Sequence, residues 1–148
     1  AASSEAASTR APGLSSATPA ARPCSWPQLS PGADAQAKKI LGGLVGPHRT
    51  LVAGCAVNRL QGGSFPAVDH LGLAVTVEVT KRAAGVHSCM PRGCVSIGSG
   101  AYAIDTASST TIQVDGATHQ VVVRAPAKLK IPRDRLLAFA VAVDRLDG

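Results

Sequence analysis

The sequence predicts a mainly β fold, either an antiparallel β-sandwich or a small barrel, with one short helix near the N-terminal end. Residues 71–81, LGLAVTVEVTK, place an apolar side chain at every second position, which is the spacing of a half-buried strand. Residues 110–123 contain two strand-like runs around Asp115-Gly116, a dipeptide typical of a two-residue type I′ turn. Short strand-like runs joined by turns, with little helical periodicity, favour an antiparallel architecture.

The chain is predicted to comprise a tail and one domain. Its 148 residues are enough for a single domain with its own core. Residues 1–22 are dominated by Ala, Ser, Thr and Pro, so we expect a flexible tail that buries too little apolar surface to offset its ordering entropy. Residues 23–148 are predicted to form a single β-rich domain. The alternative for the tail is an arm that orders against a neighbouring subunit.

One helix is predicted, at residues 33–44, because its apolar residues recur at spacings of three and four. Those residues are Ala33, Ala37, Ile40, Leu41 and Leu44. Gly42 and Gly43 are expected to end or fray this helix. Residues 51–57 form a short apolar run that we predict to be a buried strand.

Four further strands are predicted after residue 81, two of them in the hairpin of residues 110–123. Residues 95–104 place small residues on one face of an alternating pattern, which predicts a strand. In the hairpin, the type I′ turn sets Val114 opposite Ala117 and Ile112 opposite His119. Residues 136–143, LLAFAVAV, alternate large and small side chains, and both resulting faces are apolar. They are therefore predicted to form a central strand.

Composition excludes some classes of function. Only 3% of the residues are aromatic, too few for the stacking faces that bind single-stranded nucleic acid. The formal net charge is +6. The densest basic group comprises Arg124, Lys128, Lys130, Arg133 and Arg135. We interpret it as a solvated loop and strand edge, with binding of phosphates or an anionic membrane as the alternative. No nucleic-acid-binding signature and no apolar run long enough to span a membrane is present.

The cysteines indicate the compartment. There are four, and an even count in a small chain that begins without Met favours two disulfides and a processed, exported protein. We predict the pairs Cys89–Cys94 and Cys24–Cys55, and a secreted or cell-surface location. The alternatives are reduced thiols, or an organelle protein whose transit peptide has been removed.

The candidate binding loop is the ring that a Cys89–Cys94 disulfide would close. It would present Met90, Pro91 and Arg92 in a rigid form, as protease inhibitors present a specificity residue. His87 and Cys89 could alternatively hold a soft metal ion, although Cys-x4-Cys is not the spacing of a zinc finger.

The sequence favours an exported or cell-surface, non-enzymatic binding or assembly module with a protein partner. No phosphate-binding loop or nucleophile elbow is present, and the nine acidic residues mostly stand singly, so we assign no catalytic residue, no metal and no cofactor. Alternatives are a protease inhibitor, a small metal-binding protein or enzyme, and an oligomer that forms a larger shell or filament.

Overall fold

The computed structural model describes residues 23–54, 59–82 and 93–147. Its strands are β1 (Pro23–Ser25), β2 (Arg49–Thr50), β3 (Val52–Gly54), β4 (Arg59–Pro66), β5 (Ala74–Lys81), β6 (Cys94–Gly98), β7 (Ala101–Asp105), β8 (Ser109–Asp115) and β9 (His119–Pro126). Its α-helices are α1 (Pro31–Leu41) and α2 (Arg133–Asp147), with short 3₁₀ turns at Gly42–Leu44 and Ala127–Leu129. The predicted tail, residues 1–22, lies outside the described residues.

Seven strands form one antiparallel sheet in the order β2-β4-β5-β9-β8-β7-β6. A separate two-stranded antiparallel sheet pairs β1 with β3. The mainly β, antiparallel fold with a short helix on the N-terminal side is therefore confirmed.

Strand β5 has the alternation that the sequence predicts. Val75, Val77 and Val79 are buried, and the residues between them are half-buried on the opposite face. The strand begins at Ala74 rather than at residue 71, because Leu73 N–H donates to His70 O at 3.1 Å and closes a turn around Gly72. Gly72 has φ +83°, which a side chain would disfavour. Leu71 thus stands outside the strand and is fully exposed.

Helices α1 and α2 cover the apolar face of the large sheet. Ala33, Ala37 and Leu41, on one side of α1, are buried in the same core as the strands. The ring of Phe139 on α2 meets Phe65 of β4 edge to face, with the ring centroids 5.4 Å apart. Such a contact between two fully buried rings joins the helical layer to the sheet.

The predicted strand at residues 136–143 was wrong, since this segment lies inside α2. The residues with no exposure are Leu136, Phe139, Ala140 and Val143. Their spacings of three, four and seven are those of one helical face. Every residue of the segment is apolar, so the segment by itself fits a strand as well as a helix. Only the polar residues on both sides favour the helix. Those flanks extend the helix to Arg133 and Asp147.

The predicted hairpin is present, but the predicted register was wrong. Asp115 pairs with Gln120 and Val114 pairs with Val121, so the turn lies two residues later than Asp115-Gly116. Gly116 N–H donates to His119 O at 2.8 Å and closes it. The side chains of Gln113 and Gln120 both donate to Asp115 Oδ1, which fixes Asp115 in the strands rather than in the turn. The shift is even, so the apolar residues keep their face.

Candidate functional site

Asp34 and His48 form the best-defined polar pair beside a groove. Asp34 lies in the first turns of α1, and His48 precedes β2. Asp34 Oδ1 accepts two hydrogen bonds from His48, one from the backbone N–H and one from Nδ1, both 2.8 Å long. The imidazole is 5% exposed and packs against Phe65, with the ring centroids 5.5 Å apart. A buried ring thus holds the carboxylate in one orientation.

This arrangement keeps Asp34 ionised. Burial raises the pKa of the Asp34 carboxyl, but the two His48 hydrogen bonds and the His48 charge outweigh burial and hold that pKa below its ordinary value. The Asp34 side chain is 35% exposed, so a ligand can reach it. None of the described residues donates a hydrogen bond to its other oxygen, Oδ2.

A groove of about 660 Å³ runs beside this carboxylate, and we call it the α1 groove. One wall is α1, and the other is the segment from Gly42 to Pro47. Its surface is mostly apolar, with Ala37 and Val45 at the base and two charged side chains, Asp34 and Lys38. This volume is in the range of small-molecule sites.

A second surface, the apolar tip, comprises residues 67–72 between β4 and β5. Leu71 is fully exposed and Val68 is 62% exposed. The tip borders a shallower groove of about 410 Å³, whose lining includes Pro47, Arg49 and Pro66. Exposed aliphatic side chains next to a concave surface are typical of a place where another molecule docks.

A second histidine–carboxylate pair joins β9, the central strand of the large sheet, to α2. His119, at the start of β9, is buried, and its Nε2 is 3.2 Å from Asp144 Oδ1 on α2. This is the distance of an ion pair when the imidazole is protonated, and Nδ1 lies 3.2 Å from Thr118 Oγ1. The pair connects the last turns of α2 to the β8–β9 hairpin, which is a structural role.

Most of the residues that the sequence singles out as sites fall outside the described part of the chain. These are Cys55, His87, Cys89, Met90, Pro91 and Arg92. Cys24 lies in β1 opposite Ala53, and Cys94 begins β6 opposite Ile104. The Met90–Arg92 loop and both disulfide pairings therefore stay predictions.

Two of the basic residues near the C-terminal end have different partners. Arg133 forms a surface ion pair with Asp105 on β7. That contact and a Thr110 hydrogen bond lower the pKa of Asp105. Arg124 instead lies on β9, where its Nε donates to Thr111 Oγ1 at 3.3 Å. The interpretation of this group as a solvated loop and strand edge stays a prediction.

Sequence reasoning missed Asp34, His48 and the apolar tip. Asp34 and His48 are fourteen positions apart, and only the tertiary fold brings them together. The signal in the sequence was the Gly46-Pro47-His48 turn. It places a histidine at a backbone bend soon after the predicted helix.

Comparison with known proteins finds no matching family model, no matching curated protein and no matching solved structure. Among the residues that the structure describes, neither helix has the length and apolar character needed to cross a membrane. In the same residues, no three His, Cys, Asp or Glu side chains converge as metal ligands would.

Proposed function

We propose that this chain is a non-enzymatic binding module that docks a protein partner on its apolar tip. The observation that carries this proposal is the exposure of Leu71 and Val68 at the end of a loop that the fold holds in place. Two exposed aliphatic side chains in one short loop, next to a groove, form an apolar patch, and such a patch can serve as an anchor when a partner covers it.

Backbone hydrogen bonds support the proposal because they order the tip before any partner binds. Ala67 N–H donates to Leu73 O at 2.9 Å, and Val68 N–H donates to Leu44 O at 3.0 Å. Gly46 N–H donates to Pro66 O at 2.9 Å, which attaches the base of the tip to the segment after α1. A partner would therefore spend little binding free energy on ordering this surface.

Charge indicates what kind of partner fits. The chain carries a net charge of +6, and Arg49 lines the groove that borders the tip. A positive field attracts an acidic partner and accelerates its association. The partner we propose is a protein that presents an aliphatic or aromatic side chain next to Asp or Glu.

The test selects peptides from a random display library against the full chain. We expect enriched peptides that combine an apolar anchor with acidic residues, bind more weakly at high salt, and lose at least about tenfold in affinity to Leu71→Ser, equivalent to about 1.4 kcal/mol. The matched control is Val95→Thr, which removes apolar surface from the exposed edge strand β6. Enriched peptides that bind Leu71→Ser as tightly as the parent chain would refute docking on the tip.

We also propose that the module is exported or displayed at the cell surface and contains disulfides. The even cysteine count supports this proposal, as does the pairing of β1 with β3, which sets Cys24 beside the strand that precedes Cys55. The mass of the protein isolated from its source, alkylated without reduction and again after reduction, should reveal two disulfides. Four alkylated cysteines before reduction would place the protein in a reducing compartment.

A further inference from the structure

We infer that the α1 groove is a second binding site, separate from the apolar tip, and that its ligand is a free α-amino acid with an apolar side chain. The inference depends on two features of the groove. Its α1 wall carries two opposite charges, Asp34 and Lys38, and the surface between α1 and the Gly42–Pro47 segment is apolar. It does not depend on the proposed docking of a protein.

The first charge is a prearranged acceptor for an ammonium group. His48 occupies Oδ1 of Asp34 with two hydrogen bonds, so Oδ2 is the oxygen left for a ligand. The His48 ring is buried against Phe65, and the carboxylate cannot turn without losing both bonds. A fixed, ionised carboxylate forms a stronger hydrogen bond to an ammonium group than a mobile one, because it has already lost its rotational freedom.

The second charge is Lys38, one helical turn further along α1 and also in the groove lining. An Asp followed four residues later by a Lys commonly pairs on a helix surface, but these two side chains form no ion pair with each other. Both charges are therefore available to a ligand.

These two charges select a zwitterion. A simple amine would meet Lys38, and a simple carboxylate would meet Asp34, so each would be opposed by a like charge. An α-amino acid carries its ammonium and carboxylate groups on one carbon atom. A single molecule can therefore donate to Asp34 and accept from Lys38 through charge-assisted hydrogen bonds of about 2.8 Å.

The remainder of the groove suits an apolar side chain. Its floor comprises Ala37 and Val45, which are buried, and Gly43 and Pro47 lie on the opposite wall. A groove of about 660 Å³ has room for a side chain the size of leucine. Burying that side chain between these residues would supply the apolar part of the binding free energy.

The test follows backbone amide signals of the isotope-labelled full chain by NMR during titration with L-leucine. We expect saturable shifts in residues 34–47. N-acetyl-L-leucine lacks the ammonium group and L-leucine methyl ester lacks the carboxylate, so each should bind at least about tenfold more weakly. Asp34→Asn retains an oxygen that accepts from His48 but removes the charge, and it should weaken leucine binding similarly.

The matched control is Asp134→Asn, which removes an exposed carboxylate from the first turn of α2, outside both proposed binding surfaces, and should leave leucine binding unchanged. The inference fails if leucine causes no saturable shift at millimolar concentration, or if both blocked analogues bind as well as leucine. It also fails if Asp34→Asn is folded, as an unchanged spectrum outside the groove would show, and binds L-leucine as tightly as the parent chain. None of these results bears on the binding of peptides to the tip.

Discussion

Replacing Phe139 by Ala is expected to lower the free energy of unfolding by about 3–5 kcal/mol, which is a large part of the stability of an ordinary domain. Phe139 has no exposure, and it is the α2 residue whose ring meets Phe65 edge to face. The substitution removes apolar area, leaves a cavity between helix and sheet, and deletes the aromatic contact. Equilibrium denaturant unfolding of both proteins measures the difference.

A graded variant separates loss of packing from loss of the fold. Phe139→Leu keeps most of the buried volume, so it should cost less than about 1.5 kcal/mol and leave the denaturant slope unchanged. If Phe139→Ala cost under about 1 kcal/mol, residues 136–143 would not pack on the sheet as described.

Replacing Gly62 by Ala is expected to destabilise the domain by about 1–3 kcal/mol, although only one methyl group is added. A Cβ atom at this position of β4 would lie 2.4 Å from Trp26 Cε3 and 3.1 Å from Leu51 Cδ2. The indole cannot move aside easily, because it is buried and the Arg59 guanidinium stacks on it, 3.8 Å from the ring centroid. The segment around Trp26 would have to leave the sheet edge.

The matched control for Gly62→Ala is Gly98→Ala, which adds the same methyl group to another strand. At Gly98 the nearest atom to the new Cβ is that of Ala101, 3.9 Å away, which is an ordinary contact. Thermal unfolding should therefore give a clearly lower Tm for Gly62→Ala than for Gly98→Ala. Equal Tm values would show that Trp26 does not pack on β4.

Local periodicity was enough to predict the elements that have one apolar face. Strand β5 buries Val75, Val77 and Val79, and helix α1 buries Ala33, Ala37 and Leu41 of the five residues that its spacing indicates, because each element has a single face against the core. Leu71 continues the alternation of β5 in sequence but not in space. The turn at Gly72 precedes the strand. An alternation of apolar residues does not show at which residue the hydrogen bonding to neighbouring strands begins or ends.

Helix α2 could not be recognised in the same way. Residues 136–143 are apolar throughout, so the alternation of large and small side chains was accidental. The helical signal lies in Leu136, Phe139, Ala140 and Val143 together with charged residues on both sides. Reading the apolar run without those flanks favoured a strand of suitable length.

The candidate sites depend on contacts that no local pattern contains. Asp34 belongs to a helix and His48 to a strand entry, and their hydrogen bonds form only when α1 packs on the sheet. The predicted binding loop, Met90 to Arg92, was chosen from cysteine spacing, and no described residue tests that choice. Cysteine spacing also could not reveal the apolar tip, which is defined by exposure rather than by residue type.

The most direct test of the proposed function is the footprint of a selected acidic, apolar peptide on the amide NMR spectrum of the full chain. Docking on the apolar tip predicts shifts at Arg49 and at residues 67–72, and their loss in Leu71→Ser while Val95→Thr keeps them. Shifts confined to strands β6 and β7, or a footprint that Leu71→Ser leaves intact, would contradict it.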